Sequence, residues 1–284
     1  MNIQWYPGHM TRTRRQMEED IKLVDLVAEV VDARIPVSSR NPDIDAMVGR
    51  KPRLVIFNRA DQADPAVTAR WLAWFREKGC GVMETDAKTG RGVGQFSAAV
   101  RAALKDKLAA WKAKGQVGRP VRAMVVGVPN VGKSTFINKV AKRKSAKAGD
   151  RPGVTRGKQW VSVDSGLELL DTPGILWPKF EDETTGLHLA FTGAVKDEVM
   201  DTEGLACALL ELLRDRYPAA LEERYKLTGL EGQQGWELLE QGARKRGMLI
   251  SGGEADTERM ARVLLDEFRG GKLGRFTLET PEGQ

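Results

Sequence analysis

The chain has 284 residues and a mass of 31.4 kDa, with 41% hydrophobic and 30% charged residues and a mean hydropathy of −0.39; it is long enough for two packed domains and globular in composition. No apolar run reaches the roughly 18 residues of a membrane span, and Cys80, Cys207, His9 and His188 are too few and too scattered for a disulfide framework or a Cys/His zinc cluster. The net charge of +6 hides a contrast: residues 101–160 carry sixteen Lys and Arg against Asp106 and Asp150, and the next 80 carry six against seventeen Asp and Glu. Such a block fits either an anionic partner or a solvated helix face.

The N-terminus places Trp5, Pro7 and Gly8 before Arg12, Arg14 and Arg15, without the apolar core of a signal peptide, so a cytoplasmic location is expected. Asp25 to Val31 and Arg53 to Phe57 are short Val/Leu/Ile-rich segments that read as buried parallel strands. The second runs into Asn58-Arg59-Ala60-Asp61. A carboxylate at Asp61 accepts from both N1–H and the 2-amino group of guanine, a pair of donors adenine lacks. The familiar form of this motif is NKxD; here Arg59 replaces lysine, and its guanidinium can still cover the base. Thr85-Asp86-Ala87-Lys88 resembles the SAK loop whose backbone meets the guanine carbonyl, with Asp86 where serine is usual.

Phe96, Val100, Leu104 and Leu108 recur at helical spacing and predict one long helix from Val93 to Lys114. A basic connector, Lys112 to Pro120, leads to a third strand, Arg122 to Gly127. Gly127-Val-Pro-Asn-Val-Gly132-Lys133-Ser134 then fits GxxxxGK[ST] between a strand and a helix. Its glycines let the backbone N–H groups of Asn130, Val131, Gly132, Lys133, Ser134 and Thr135 wrap a phosphate at the positive end of a helix. Lys133 reaches the β and γ phosphates, and the Ser134 hydroxyl binds Mg²⁺.

Pro152-Gly-Val-Thr155-Arg156 offers Thr155 as the hydroxyl that completes the Mg²⁺ shell when a γ-phosphate is present; Lys142, Arg143, Lys144, Lys147 and Arg151 crowd the same region. Gln159 to Val163 and Leu167 to Leu170 predict a hairpin turning at Ser165-Gly166. Asp171-Thr-Pro-Gly174 follows, with Asp171 placed to hold Mg²⁺ through water and the Gly174 N–H to meet the γ-phosphate. Beyond Pro178 the sequence becomes acidic and helical, with Leu205, Leu209, Leu212 and Leu213 on one apolar face and an amphipathic run from Thr257 to Phe268. The expected fold is thus α/β, a P-loop GTPase domain over 1–178 with a C-terminal all-helical domain over 179–284.

The motifs stand in an unusual order. An ordinary GTPase runs from P-loop through the switch threonine and DxxG to NKxD and SAK, whereas here NRAD and the SAK-like loop come first. A sheet depends on which strands are adjacent and not on where the chain begins, so a circularly permuted topology builds the same site, with Lys112 to Pro120 joining the former ends.

This order, with the N-terminal IQWYPGHM, the stretch Asp32-Ala-Arg-Ile-Pro-Val-Ser-Ser-Arg-Asn-Pro42, and the C-terminal ARKRGMLISGGEADTERMA and GKLGRF, resembles the circularly permuted GTPases of the YlqF/RbgA family over nearly the whole chain. The resemblance implies a cytoplasmic GTPase acting late in assembly of the large ribosomal subunit, stimulated by that particle, whose helical domain contacts rRNA. It also implies a role for His9. Ras-like GTPases orient water with a glutamine after the DxxG glycine, but Ile175 stands here and cannot hydrogen-bond; in the family the PGHM histidine is the proposed substitute. Structural capping or RNA contact are the other readings of His9.

Asn130 is the residue type with which potassium-stimulated GTPases coordinate K⁺ beside the phosphates. Candidates for RNA phosphate are Arg12, Arg14, Arg15, Arg244, Lys245, Arg246, Lys272 and Arg275, each of which also fits a solvated face. Two rivals stay open at this stage: a nucleotide-gated RNA-binding module with incidental hydrolysis, and an ATPase of similar fold.

Overall fold

The computed structural model describes residues 10–116, 118–145, 160–172, 182–195 and 201–282. They divide into two compact units, one of residues 10–172 with 277–282 and the other of 182–276. This corrects the expected boundary at the C-terminus, since the last described residues belong to the nucleotide-binding unit and not to the helical one.

The larger unit is built on six strands, β1 (Leu26–Asp32), β2 (Arg53–Asn58), β3 (Gly81–Glu84), β4 (Val121–Val126), β5 (Trp160–Asp164) and β6 (Leu167–Asp171). They lie in the order β3-β2-β1-β4-β6-β5, and every pair is parallel except β5 with β6. β1 is buried at all seven positions and is apolar except for Glu29, which pairs with Arg40 and Arg53, and the terminal Asp32. β5 and β6 form the predicted hairpin, and the Gly166 N–H donates to Asp164 at the turn.

Helices cover both faces. α1 (Met10–Lys22) and α2 (Asp43–Val48) bury Met17, Ile21, Ile44 and Val48 against Val27, Met124, Val126 and Leu170. On the same face α3 (Pro65–Glu77), capped by Asp64, packs Trp71, Leu72 and Phe75 on Val31, Val55 and Phe57. The other face carries α4 (Phe96–Ala103), where Ala103 approaches Leu54 and Gly81, and α6 (Lys133–Ser145), whose Phe136 meets Phe96 edge-on at 5.2 Å.

The predicted single helix from Val93 to Lys114 is instead a 3-10 turn at Val93–Gln95, α4, and α5 (Lys105–Ala113), separated at Leu104. Leu104 is the last fully buried position of the run and α5 buries no residue, so the chain leaves the sheet there. The connector is fastened by Asp25, whose carboxylate accepts from Lys107 at 2.8 Å and from the Arg122 N–H at 3.0 Å; Arg119 stacks over Trp111 at 4.3 Å. The strand entering the phosphate loop is thereby held beside β1, the join that the permuted order requires.

The smaller unit holds α7 (Glu183–Phe191), α8 (Thr202–Arg216), α9 (Pro218–Tyr225), α10 (Gly235–Lys245) and α11 (Thr257–Arg269). Asp182, Asp201 and Asp256 accept from first-turn N–H groups of α7, α8 and α11, and Gln234 with Glu237 closes a capping box on α10. Its core joins Leu205, Leu209 and Leu213 with Leu238, Leu239, Met260, Leu264 and Phe268, and Leu210 is buried where Leu212 is only partly so. Among the described residues no helix is long and apolar enough to cross a membrane.

Candidate functional site

β4 ends at Val126 and α6 starts at Lys133, so the Gly127–Gly132 segment is the turn between a buried parallel strand and a helix N-terminus. The Phe136 N–H already bonds the Gly132 carbonyl at 2.9 Å, while the N–H groups that open α6 precede the first intrahelical bonds and suit an anion. Ser134 and Thr135 are exposed in that first turn, and Asn130 is exposed with a left-handed φ of 58°. Lys133 is only 7% exposed; its ammonium donates to Asp171 at 2.8 Å and to the Thr172 carbonyl. β4 and β6 are register partners at Val125 and Asp171, which is what brings the DTPG aspartate beside the P-loop lysine.

The loop from Asn58 to Asp61 leaves β2, two strands away across β1. Asn58 is 2% exposed and works in three directions: its Nδ2 donates to the Val131 carbonyl at 2.8 Å, and its Oδ1 accepts from the Ala87 N–H at 3.0 Å and the Thr85 hydroxyl at 3.1 Å. A single amide thus ties the phosphate loop to the SAK-like loop. Gly132, with φ 95°, is required for this reach, because a Cβ there would lie 2.3 Å from Asn58 Nδ2. Arg59 donates to the Asn130 carbonyl at 2.8 Å, and Asp61 is exposed just beyond it.

In the SAK-like loop Asp86 has a local role. The Asp86 carboxylate accepts from the Lys88 N–H at 2.9 Å, the Thr89 N–H at 3.2 Å and the Thr89 hydroxyl, so it folds its own loop. Burial alone would raise its pKa, but these hydrogen bonds outweigh it and the group is held below the ordinary carboxylate value. The Ala87 N–H, expected to meet guanine, is engaged by Asn58, so a base carbonyl would have to share or exchange that bond.

The structure therefore brings together Asn58, Arg59, Asp61, Asp86, Ala87, Asn130, Val131, Gly132, Lys133, Ser134, Thr135 and Asp171 at the C-terminal edge of one sheet. His9, Thr155, Gly174, Ile175, Lys147 and Arg151 lie outside the described residues, as do the side chains of Arg12, Lys142, Arg143 and Lys144. Of the other RNA candidates, Arg15, Lys245, Lys272 and Arg275 are exposed. Arg14 pairs with Glu18 and Asp43, each at 3.5 Å, and Arg244 with Glu240 at 2.8 Å. Arg246 serves the core of the helical unit, pairing with Glu267 at 3.2 Å and lying over the Tyr225 ring. His188 is buried in α7.

One residue escaped the functional reading of the sequence. Asp32, at the end of β1, meets Arg59 Nε at 3.8 Å; the DAR stretch could be noted as a marker, but its nearness to the base loop follows only from strand adjacency.

A mostly parallel sheet with a phosphate loop between β4 and α6, the DTPG strand β6 on one side of β4 and the NRAD strand β2 beyond β1 on the other, is that of a P-loop GTPase with circularly permuted topology. The family model of the 50S ribosome-binding GTPase matches residues 122–223. The chain is 49% identical over 282 residues to ribosome biogenesis GTPase A of Bacillus cereus, covering 99% of this chain and 95% of that protein. It is 34% identical over 294 residues to mitochondrial ribosome-associated GTPase 1 of Mus musculus, covering 97% and 89%. The crystal structure of GNP-bound YlqF from T. maritima is similar with a TM-score of 0.64 at 30% identity, over 95% of this chain and 99% of that one. The chain belongs to the ribosome biogenesis GTPase A (YlqF/RbgA) family.

Proposed function

We propose that this GTPase is an assembly factor for the large ribosomal subunit, which binds a late precursor particle and its rRNA in one nucleotide state and leaves it in the other. The observation that carries the reading is the 49% identity with a ribosome biogenesis GTPase A along 99% of the chain, spanning the nucleotide unit and the helical unit alike. The Lys/Arg set at Arg15, Lys245, Lys272 and Arg275 supplies exposed cations for rRNA phosphate. A cytoplasmic location belongs to the same proposal.

GTP is the substrate. Asp61 reads the guanine edge, Arg59 covers the base, and the loop from Asn130 to Thr135 receives the phosphates. Nucleotide binding exchanges one anionic partner of Lys133, the Asp171 carboxylate, for another, the phosphate chain. Mg²⁺ fits the donors present. Among the described residues no three His, Cys, Asp or Glu side chains gather into a metal cage, and Mg²⁺ bound to nucleotide needs none, because phosphates and water fill most of its shell. The Ser134 hydroxyl, Asp171 through water, and Thr155 would hold it. Bound there, it neutralises charge on the phosphates. Asn130 would hold a K⁺ ion, and the Gly174 N–H would donate to the γ-phosphate.

With Ile175 following the DxxG glycine, His9 is assigned the task of orienting the attacking water, its neutral imidazole accepting the water's proton. The test is steady-state GTP turnover with and without purified large subunits, for the unsubstituted chain and for His9→Ala. Stimulation by the particle that His9→Ala removes supports the proposal. No stimulation overturns the ribosomal assignment, and stimulation that survives His9→Ala removes the role given to that residue.

A further inference from the structure

Asp32 lies at the C-terminal end of β1, opposite Asn58 of β2, and is 3% exposed. Arg34 folds back on it bidentately: Nε donates to Oδ1 at 2.9 Å, Nη2 to Oδ2 at 2.7 Å, and the Arg34 N–H to Oδ1 at 3.0 Å. The Asp32 N–H in turn donates to the Ser39 hydroxyl at 2.9 Å. A closed pair of this kind would be a purely local staple, but the same carboxylate has a second cationic neighbour, Arg59 Nε at 3.8 Å from Oδ2. Arg59 is in turn bonded through Nη2 to the Asn130 carbonyl. Its backbone is left-handed, with φ 59°, an uncommon conformation for a residue with a Cβ and one found where surrounding contacts over-determine it.

We propose that Asp32 is a positioning residue for guanine-nucleotide binding, its carboxylate holding the Arg59 guanidinium against the Asn130 carbonyl so that Arg59 is a fixed cover for the base. The inference rests on reading Asn58 to Asp61 as the base-binding loop. It also explains why arginine can stand at the position of the usual lysine. A guanidinium offers donors on separate edges of one plane, so Nη2 serves the phosphate loop while Nε faces Asp32; an ammonium is a single point and cannot present a plane held from two sides. Arg34 saturates the rest of the buried carboxylate, which keeps Asp32 charged and directed.

A double-mutant cycle in the full-length chain tests this, with GDP and a nonhydrolysable GTP analogue titrated against Asp32→Asn, Arg59→Lys and the pair. Asp32→Asn should raise both Kd values by the same factor, about fivefold, because the base and not the γ-phosphate is affected. In the Arg59→Lys background the same change should have no further effect. Equal effects of Asp32→Asn in both backgrounds would overturn the proposal and leave Asp32 a local staple of its own loop. Failure of the unsubstituted chain to bind either nucleotide would instead overturn the reading of the loop itself. If Asp32→Asn does not fold, the Arg59 Nε–H resonance of the unsubstituted chain decides. Slowed exchange with solvent supports the pairing, and exchange at the rate of an exposed arginine contradicts it.

Discussion

The side-chain amide of Asn58 donates to the main-chain carbonyl of Val131 at 2.8 Å, although 73 residues separate them. Through this bond, and the two that Asn58 Oδ1 accepts from Thr85 and Ala87, the NRAD loop, the SAK-like loop and the phosphate loop are one construction. The permuted order of the chain is thereby made irrelevant to the site.

Asn58→Ala should therefore damage binding of both ends of the nucleotide together. The change leaves the buried Val131 carbonyl and Ala87 N–H without their partner, at a cost of about 2–4 kcal/mol to the nucleotide unit. GTP and GDP affinity should fall together by at least about tenfold. Urea unfolding with isothermal titration of both nucleotides measures the two effects; a loss confined to GTP would contradict the shared role.

Glu279 gives a second prediction. It is 8% exposed and accepts from the Val37 N–H at 2.6 Å, the Ser38 N–H at 3.0 Å and the Ser38 hydroxyl, while its carbonyl accepts from Trp71 Nε1 and the neighbouring Leu278 N–H donates to the Arg34 carbonyl at 2.7 Å. Glu279→Ala should cost about 2–4 kcal/mol in denaturant unfolding, since it strips the loop carrying Arg34 and Ser39 of three acceptor contacts. A loss under about 0.5 kcal/mol, typical of a surface change, would show that the tail does not hold the loop.

These two cases show what could be read in the sequence and what could not. Buried parallel strands are rich in Val, Ile and Leu, so β1, β2 and β4 are legible, and the P-loop between strand and helix with them, while the β5–β6 hairpin shows through its Ser165-Gly166 turn. β3 (Gly81–Glu84) is not legible, because an edge strand of four residues, of which only Met83 is fully buried, is too short to show a periodicity. The tail at Thr277–Glu279 follows the last amphipathic run of the helical domain in sequence, but its partners lie more than 200 positions earlier, where local pattern says nothing. Arg246 has the charge of an RNA-contact candidate, but its partner Glu267 sits on another helix. Asp86 stands at the serine position of a SAK-like motif, and only the turned-back loop shows that its carboxylate serves Lys88 and Thr89.

Acid sensitivity of the helical unit follows from Glu267. Burial would raise its pKa, but hydrogen bonds from Arg224 and Tyr225 and the charge and hydrogen bonds of Arg246 prevail and bring it from 4.5 to about 2. Because the folded value lies below the unfolded one, the stabilisation is complete above about pH 4.5 and is lost as pH falls toward 2, an amount on the order of 3 kcal/mol. Glu267→Gln should be less stable at pH 7 and should flatten this part of the pH profile in thermal unfolding. An unchanged profile would contradict the assignment.

Asn130 leads to a prediction on monovalent cations. With Asn130 exposed in the phosphate loop, turnover in KCl should exceed that in NaCl at matched ionic strength by at least about tenfold, in line with the charge neutralisation an arginine finger provides. Asn130→Ala should abolish the difference; equal rates in the two salts for the unsubstituted chain would remove K⁺ from the account.

The most direct measurement of the central claim is nucleotide preference in Asp61→Asn. If residues from both halves of the permuted chain enclose one guanine nucleotide, this change exchanges an acceptor pair for a mixed donor and acceptor and should move binding from GTP to XTP, reversing the ratio of their Kd values by about a hundredfold. An unshifted preference, with Lys133 still required for triphosphate binding, would place the base away from Asp61 and contradict a single composite site.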